Sequence, residues 1–188
     1  MNSDIKILKL LLDRKEEKFT IKKISEKLDI NYRIAYENVA ILEKENLLRI
    51  TRAGNSTICE FAYNFNNKVY ETEYYRAMDL FKNKNFQIIY NRLAELNFAF
   101  IALIFGSYAK GKTTKHSDID ILSIGGDQKE IKNTLNLLPD KIHLTSINYE
   151  EFIHMAKRKE FTVVSEAIKN NIIIIGIEEY YRLLRNAE

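Results

Sequence analysis

Asp118 and Asp120 stand two residues apart in the run Ser117-Asp118-Ile119-Asp120-Ile121-Leu122, and an earlier apolar run, Ala99 to Phe105, ends at Gly106-Ser107. Side chains alternate across a strand. A strand from Asp118 to about Ile124 therefore puts both carboxylates on one face and sends Ile119 and Ile121 to the other. Two hard oxygen donors one strand repeat apart suit Mg²⁺ (or Mn²⁺), which takes one or two carboxylates and completes its shell with water and phosphate oxygens. Gly106 lacks a Cβ, so the chain can turn sharply there and bring its backbone close to a ligand. Ser107 sits where a short helix can begin, with a hydroxyl and free amide N–H groups able to face phosphate oxygens. Together these residues describe a way to hold a divalent ion against a nucleoside triphosphate.

Gly106-Ser107, then Ala109 and Gly111, then Ser117-Asp118-Ile119-Asp120 fill the fixed positions of the pattern G-S-x-A-x-G-x-x-x-x-x-S-D-x-D-[LI]. This stretch resembles the nucleotidyltransferase superfamily that includes DNA polymerase beta, and more closely its minimal bacterial and archaeal members. The tail, from Val164-Ser165-Glu166-Ala167 through Ile172 to Gly176 and Glu178 to Tyr181, is similar to the closing helix, strand and helix of the same family. The resemblance extends from about Phe86 to Arg185. It implies that Gly106, Ser107, Lys110, Lys112 and Ser117 contact the nucleotide and that Asp118 and Asp120 bind metal and serve catalysis. Members usually carry a third carboxylate on the next core strand, where it helps activate the attacking hydroxyl. In the matching strand, Lys141 to Ile147, the corresponding position is His143, an imidazole that binds Mg²⁺ poorly but can act as a general base. Asp127, Asp140 and Glu150 are nearby acids at strand ends or helix starts, where an acid more often caps a helix.

These residues need a sheet and helices to position them. Apolar spacing predicts a helix from Asn85 to Leu96 before the first strand, a helix from Asp127 to Leu138, and another from Tyr149 to Lys159. The fold class expected is α+β, with helices around a small mixed sheet. Gly125-Gly126 would free the chain to turn off the second strand.

The chain has 188 residues, 46% of them hydrophobic and 29% charged, with one proline, which excludes a disordered or fibrous class. Net charge is +3, so nucleic-acid binding is permitted and not required. The one cysteine, Cys59, has no partner for an internal disulfide, and the three histidines (His116, His143 and His154) lack zinc spacing. The first residues intersperse Asp4, Lys6 and Lys9 among leucines without a small-residue cleavage site, and no run of about twenty apolar residues follows. A cytoplasmic protein with no membrane association is expected.

The first third has a different character. Ile5, Leu8 and Leu12 line one helical face; Ile21, Ile24 and Leu28 line a second, with Thr20 as its cap; Asp29-Ile30-Asn31 turns into a third helix, Tyr32 to Lys44, that buries Ala35, Val39 and Leu42. Leu48 to Thr51 and Thr57 to Phe61 read as strands joined at Ala53-Gly54-Asn55-Ser56. The run from Phe19 to Leu48 resembles the winged helix-turn-helix family. That resemblance implies that Asn31, Tyr32, Arg33 and Tyr36 face the major groove of DNA and that Arg49 and Arg52 on the wing meet phosphates or the minor groove. Glu37, Glu43 and Glu45 weaken the positive field of the third helix, and docking to protein is the other use of such a module.

Between the two lies Lys68 to Lys82, with Tyr70, Tyr74, Ala77 and Phe81 at helical spacing. It reads as a connecting helix whose apolar stripe packs on a neighbouring module or makes a homodimer. The organisation expected is a winged helix-turn-helix domain over 1–65, a connecting helix over 66–85 and a nucleotidyltransferase domain over 86–188. The leading function is metal-dependent transfer of a nucleoside monophosphate from a nucleoside triphosphate to a protein or nucleic-acid hydroxyl, beside a DNA-binding domain. Two other readings stay open: a transcriptional regulator whose nucleotidyltransferase-like domain senses nucleotide or metal, and, as the resemblance to minimal nucleotidyltransferases implies, an antitoxin paired with a small helical toxin.

Overall fold

The computed structural model describes residues 1–54, 56–114, 117–138, 141–158 and 162–187. The chain forms two compact units, Met1–Tyr74 and Tyr75–Glu188.

In the first unit, α1 (Ser3–Asp13) buries Ile5, Ile7, Leu8, Leu11 and Leu12. A two-residue strand β1 (Phe19–Thr20) leads directly into α2 (Ile21–Leu28), where the Thr20 hydroxyl accepts from the Lys23 amide at 3.2 Å. The helix stops at Asp29, whose φ of +50° is left-handed. Asn31 then caps α3 (Tyr32–Lys44), accepting from the Arg33 amide at 2.8 Å, and Ala35, Val39 and Leu42 are buried. Strands β2 (Leu48–Ala53) and β3 (Ser56–Phe61) form an antiparallel hairpin, and β1 pairs with β3 to give the order β1-β3-β2. β1 is too short to show in a periodicity, and Asn55 of the expected hairpin turn lies outside the described residues.

Helix α4 (Asn67–Phe81) contains the division between the units. Its buried face matches the stripe that hydropathy picks out only in part: Ala77 is buried and Phe81 packs on the core of the second unit, but the two tyrosines face solvent. Tyr70 and Tyr74 are each 50% exposed, whereas Val69, Thr72, Glu73, Arg76 and Ala77 are buried at the spacing of one helical face. Burial of Thr72 and Arg76 is made possible by bonding: the Thr72 hydroxyl donates to the Lys68 carbonyl at 2.7 Å, and the Arg76 guanidinium donates to the Asn171 carbonyl.

In the second unit the elements after α4 are α5 (Lys84–Ala94), β4 (Ile101–Phe105), α6 (Gly106–Ala109), β5 (Ile119–Ile124), α7 (Gln128–Asn136), β6 (Ile142–Ile147), α8 (Tyr149–Lys157), α9 (Val163–Lys169), β7 (Asn171–Ile175) and α10 (Ile177–Ala187). The sheet order is β6-β5-β4-β7, with β5 and β6 parallel and the other pairs antiparallel, which is the mixed sheet expected. Phe86, Ile89 and Leu93 of α5 and Ile131 and Leu135 of α7 pack with Ala102, Ile104, Ile119 and Ile121 into one core. Phe152, Val164, Ala167, Tyr180 and Tyr181 of α8, α9 and α10 are also buried, and α9 and α10 lie against β4. With both faces covered, β4 is apolar at every position. Asp127 caps α7, accepting from the Lys129 and Glu130 amides at 2.9 and 3.0 Å, and Asn148 with Glu151 forms a capping box on α8.

Candidate functional site

The antiparallel register of β4 with β5 sets Phe105 opposite Asp120, so the residue after β4, Gly106, comes to rest on the Asp120 side chain. Gly106 has φ +67°, and a Cβ there would lie 3.1 Å from the Asp120 Cγ and closer still to Oδ2. Only glycine satisfies both conditions. The four-residue α6 begins at this corner, with Gly106, Ser107 and Tyr108 in its first turn, where backbone N–H groups have no partner inside the helix. Tyr108 anchors the turn by meeting the Phe86 ring edge-on at 5.0 Å.

Asp118 precedes β5 by one residue, so the strand is shorter than expected, yet the alternation still places Asp118 on the face of Asp120. Both acids are half-buried. The parallel pairing of β5 with β6 sets His143 level with Asp120, and His143 Nδ1 lies 3.4 Å from Asp120 Oδ1. The resemblance pointed to His143 as the third position, and the register brings it to Asp120. Lys141, which sequence reasoning did not single out, also arrives there: its Nζ lies 2.9 Å from Asp118 Oδ1 and donates to Oδ2 at 3.0 Å. Oδ1 is shielded from solvent and accepts no hydrogen bond of usable geometry from the described residues.

The loop between α6 and β5 holds itself together. Ser117 Oγ accepts from the Thr114 amide at 2.9 Å, and the Lys112 amide donates to the Ser107 carbonyl at 3.0 Å. Lys110 is not a free cation beside the turn, because its ammonium pairs with Glu166 of α9 at 2.9 Å. Lys112 is exposed. Of the other acids near the strands, Asp127 is the helix cap already described and Glu150 lies in the first turn of α8. Asp140 and His116 lie outside the described residues.

Among the described residues no group of three or more His, Cys, Asp or Glu side chains is placed to hold a metal ion. The donors that remain fit a hard cation of the Mg²⁺ kind, which needs only one or two protein carboxylates. Asp118 Oδ1, buried and without a hydrogen bond, supplies the sort of lone pair such an ion takes up.

In the first unit Tyr32 and Tyr36 are 54% and 56% exposed along α3, and Arg49 and Arg52 are exposed on β2. Two of the expected contact residues are already engaged. Asn31 spends its side-chain oxygen on the helix cap, and Arg33 pairs with Glu37 at 2.8 Å, a hydrogen bond that raises the arginine pKa further. No helix of the described residues is long and apolar enough to cross a membrane.

No curated protein and no solved structure matches the chain. The family model described as "Polymerase beta, Nucleotidyltransferase" matches residues 87–180, a span that holds the glycine corner, both acids, His143 and the closing helix and strand. That span is half of the chain, and with the site geometry it establishes that this protein belongs to the polymerase beta nucleotidyltransferase family, with a nucleotidyltransferase-type function.

Proposed function

We propose that the second unit transfers a nucleoside monophosphate from a nucleoside triphosphate to a protein or nucleic-acid hydroxyl, with metal bound by Asp118 and Asp120. The observation that carries this reading is the Asp120 carboxylate seated against Gly106, since it puts a carboxylate beside the backbone corner at which α6 begins. The ion, when bound, screens the triphosphate charge and polarises the α-phosphoryl group. Ser107 and the amides of the first turn of α6 orient the phosphates. An acceptor hydroxyl oxygen forms a bond to the α-phosphorus, the bond from that phosphorus to the bridging oxygen breaks, and pyrophosphate leaves with the electron pair. The hydroxyl proton passes to His143, whose ring is 73% exposed and is oriented through Nδ1 by Asp120.

The first unit would act as a winged helix-turn-helix on DNA. Its support is the element order α1, β1, α2, α3, β2, β3 with exposed tyrosines on α3 and exposed arginines on the hairpin. Arg33 stays 85% exposed although it is paired, so a phosphate can compete with Glu37 for it.

Incubation with an α-labelled nucleotide, Mg²⁺ or Mn²⁺ and cell extract tests the transfer. Label should appear on an acceptor with the wild-type chain and disappear with Asp118→Asn; label retained by that variant refutes the assignment. A second reading, a DNA-binding regulator that senses nucleotide or metal, is favoured by a specific observation: the position expected to hold a third acid carries His143, and Lys141 covers Asp118. Nucleotide binding that changes DNA affinity, with no labelled product after long incubation, would select it.

A further inference from the structure

Lys141, the residue just before β6, and His143 within it stand at alternate positions along the extended chain, so both address the face that holds Asp118 and Asp120. The Ile119 amide donates to the Lys141 carbonyl at 2.9 Å, which brings Lys141 level with Asp118 just as His143 is level with Asp120. Each acid therefore meets a basic side chain from the same neighbouring segment, Lys141 to His143. The Lys141 ammonium stands astride the Asp118 carboxylate, 2.9 Å from one oxygen and 3.0 Å from the other. A divalent ion binding that carboxylate needs the same lone pairs, and two cations cannot share them at such distances without strong repulsion.

Lys141 is also able to leave. Its side chain is 82% exposed, on a flexible four-carbon stem, while the Asp118 side chain is 38% exposed. An ion pair this open is weak, so it can tune the affinity of a competing cation without excluding it.

We propose that Lys141 is a built-in competitor for the metal at Asp118: it holds the carboxylate neutralised in the resting protein and must swing away before a divalent ion binds. This rests on the reading of Asp118 as a metal ligand. The consequence is an intrinsic metal affinity set below what the two acids alone would give.

Mn²⁺ binding to the full chain without nucleotide, followed by loss of the free-ion electron paramagnetic resonance signal at low salt, tests it. Lys141→Met should bind Mn²⁺ about 1.5- to 5-fold more tightly than wild type, the range an exposed ion pair allows. Lys132→Met, which removes an exposed charge on α7, should leave the affinity unchanged. Asp118→Asn combined with Lys141→Met should abolish the gain. Equal or weaker binding by Lys141→Met, or an equal gain from Lys132→Met, overturns the competitor. Absence of Mn²⁺ binding in wild type and Lys141→Met alike, with and without nucleotide, overturns the metal reading and the competitor with it. Circular dichroism melts of each variant verify that the fold is retained.

Discussion

Replacing Gly106 by alanine adds one methyl group at a corner where the backbone is left-handed and the Asp120 carboxylate is already in place. Two costs arise, and a second glycine separates them. Gly111 has φ +63° against +67° at Gly106, but a Cβ at Gly111 would meet nothing within 4 Å. Gly111→Ala thus carries the conformational cost alone, about 1 kcal/mol. Gly106→Ala carries that cost and also drives the new methyl to 3.1 Å from Asp120 Cγ and 3.4 Å from its Cβ. Asp120 is a short side chain only 27% exposed, so it has to rotate off its rotamer, for about 1 kcal/mol more. In a domain of this size each kcal/mol lowers the melting midpoint by about 4 °C, which predicts losses of about 4 °C for Gly111→Ala and about 8 °C for Gly106→Ala. The larger difference is functional. A displacement of order 1 Å in a positioned group can reduce turnover about 100-fold, so Gly106→Ala should lose nucleotidyl transfer to that degree while Gly111→Ala keeps most of it. The assays are thermal denaturation by circular dichroism and transfer of an α-labelled nucleotide. Equal melting and equal transfer by the two variants would refute the role of the close approach.

Further outcomes follow from other positions. Asp127→Ala removes the acceptor of two amide bonds at the start of α7 and should cost about 1 kcal/mol in urea denaturation; an unchanged midpoint would show the cap to be idle. Burial, with the Glu43 charge adding to it, pushes the Cys59 thiol up to about 11, so the folded chain holds it protonated. At pH 8 iodoacetamide should modify Cys59 far more slowly in the native chain than in urea, as read by mass spectrometry, and equal rates would contradict its burial. The sign for stability follows: the neutral thiol is favoured in the folded state, so its contribution is intact below pH 9 and declines as pH rises toward 11. Arg52→Ala should weaken duplex DNA binding across sequences and reduce the slope of log affinity against log salt by about 0.9, measured by fluorescence anisotropy; an unchanged slope would remove this arginine from the contact.

The grouping of the candidate site residues was legible where they are close in sequence and joined by an antiparallel turn. Gly106 directly follows β4, and Asp118 and Asp120 lie just before and within its antiparallel neighbour β5, so strand alternation is enough to put the acids on one face beside the glycine. Helix caps were legible for a similar reason, as Thr20 shows, because a cap acts within its own first turn. Lys141 was hidden because its meeting with Asp118 depends on a parallel register made across the α7 crossover, and no periodicity encodes that register. The face of α4 was misread in part because hydropathy favours Tyr70 and Tyr74 over Thr72 and Arg76, whose burial depends on bonds that hydropathy does not see, one to the Lys68 carbonyl a helical turn back and one to the distant Asn171 carbonyl. Asn171 is a further case. It is fully buried at the start of β7, its amide donating to the Ala167 carbonyl at 2.6 Å and to the Tyr180 hydroxyl at 2.9 Å, and nothing in the local sequence announces either bond.

Strand β6 borders the sheet, while β5 is enclosed between β6 and β4. Residues on a bordering strand whose side chains face water can be exchanged with little penalty to folding, whereas the enclosed strand has neighbours on both flanks to satisfy. His143, on the bordering strand and 73% exposed, is thus a position where an acid could replace the imidazole at small cost to folding, whereas Asp120, on the enclosed strand and 27% exposed, is held by its surroundings.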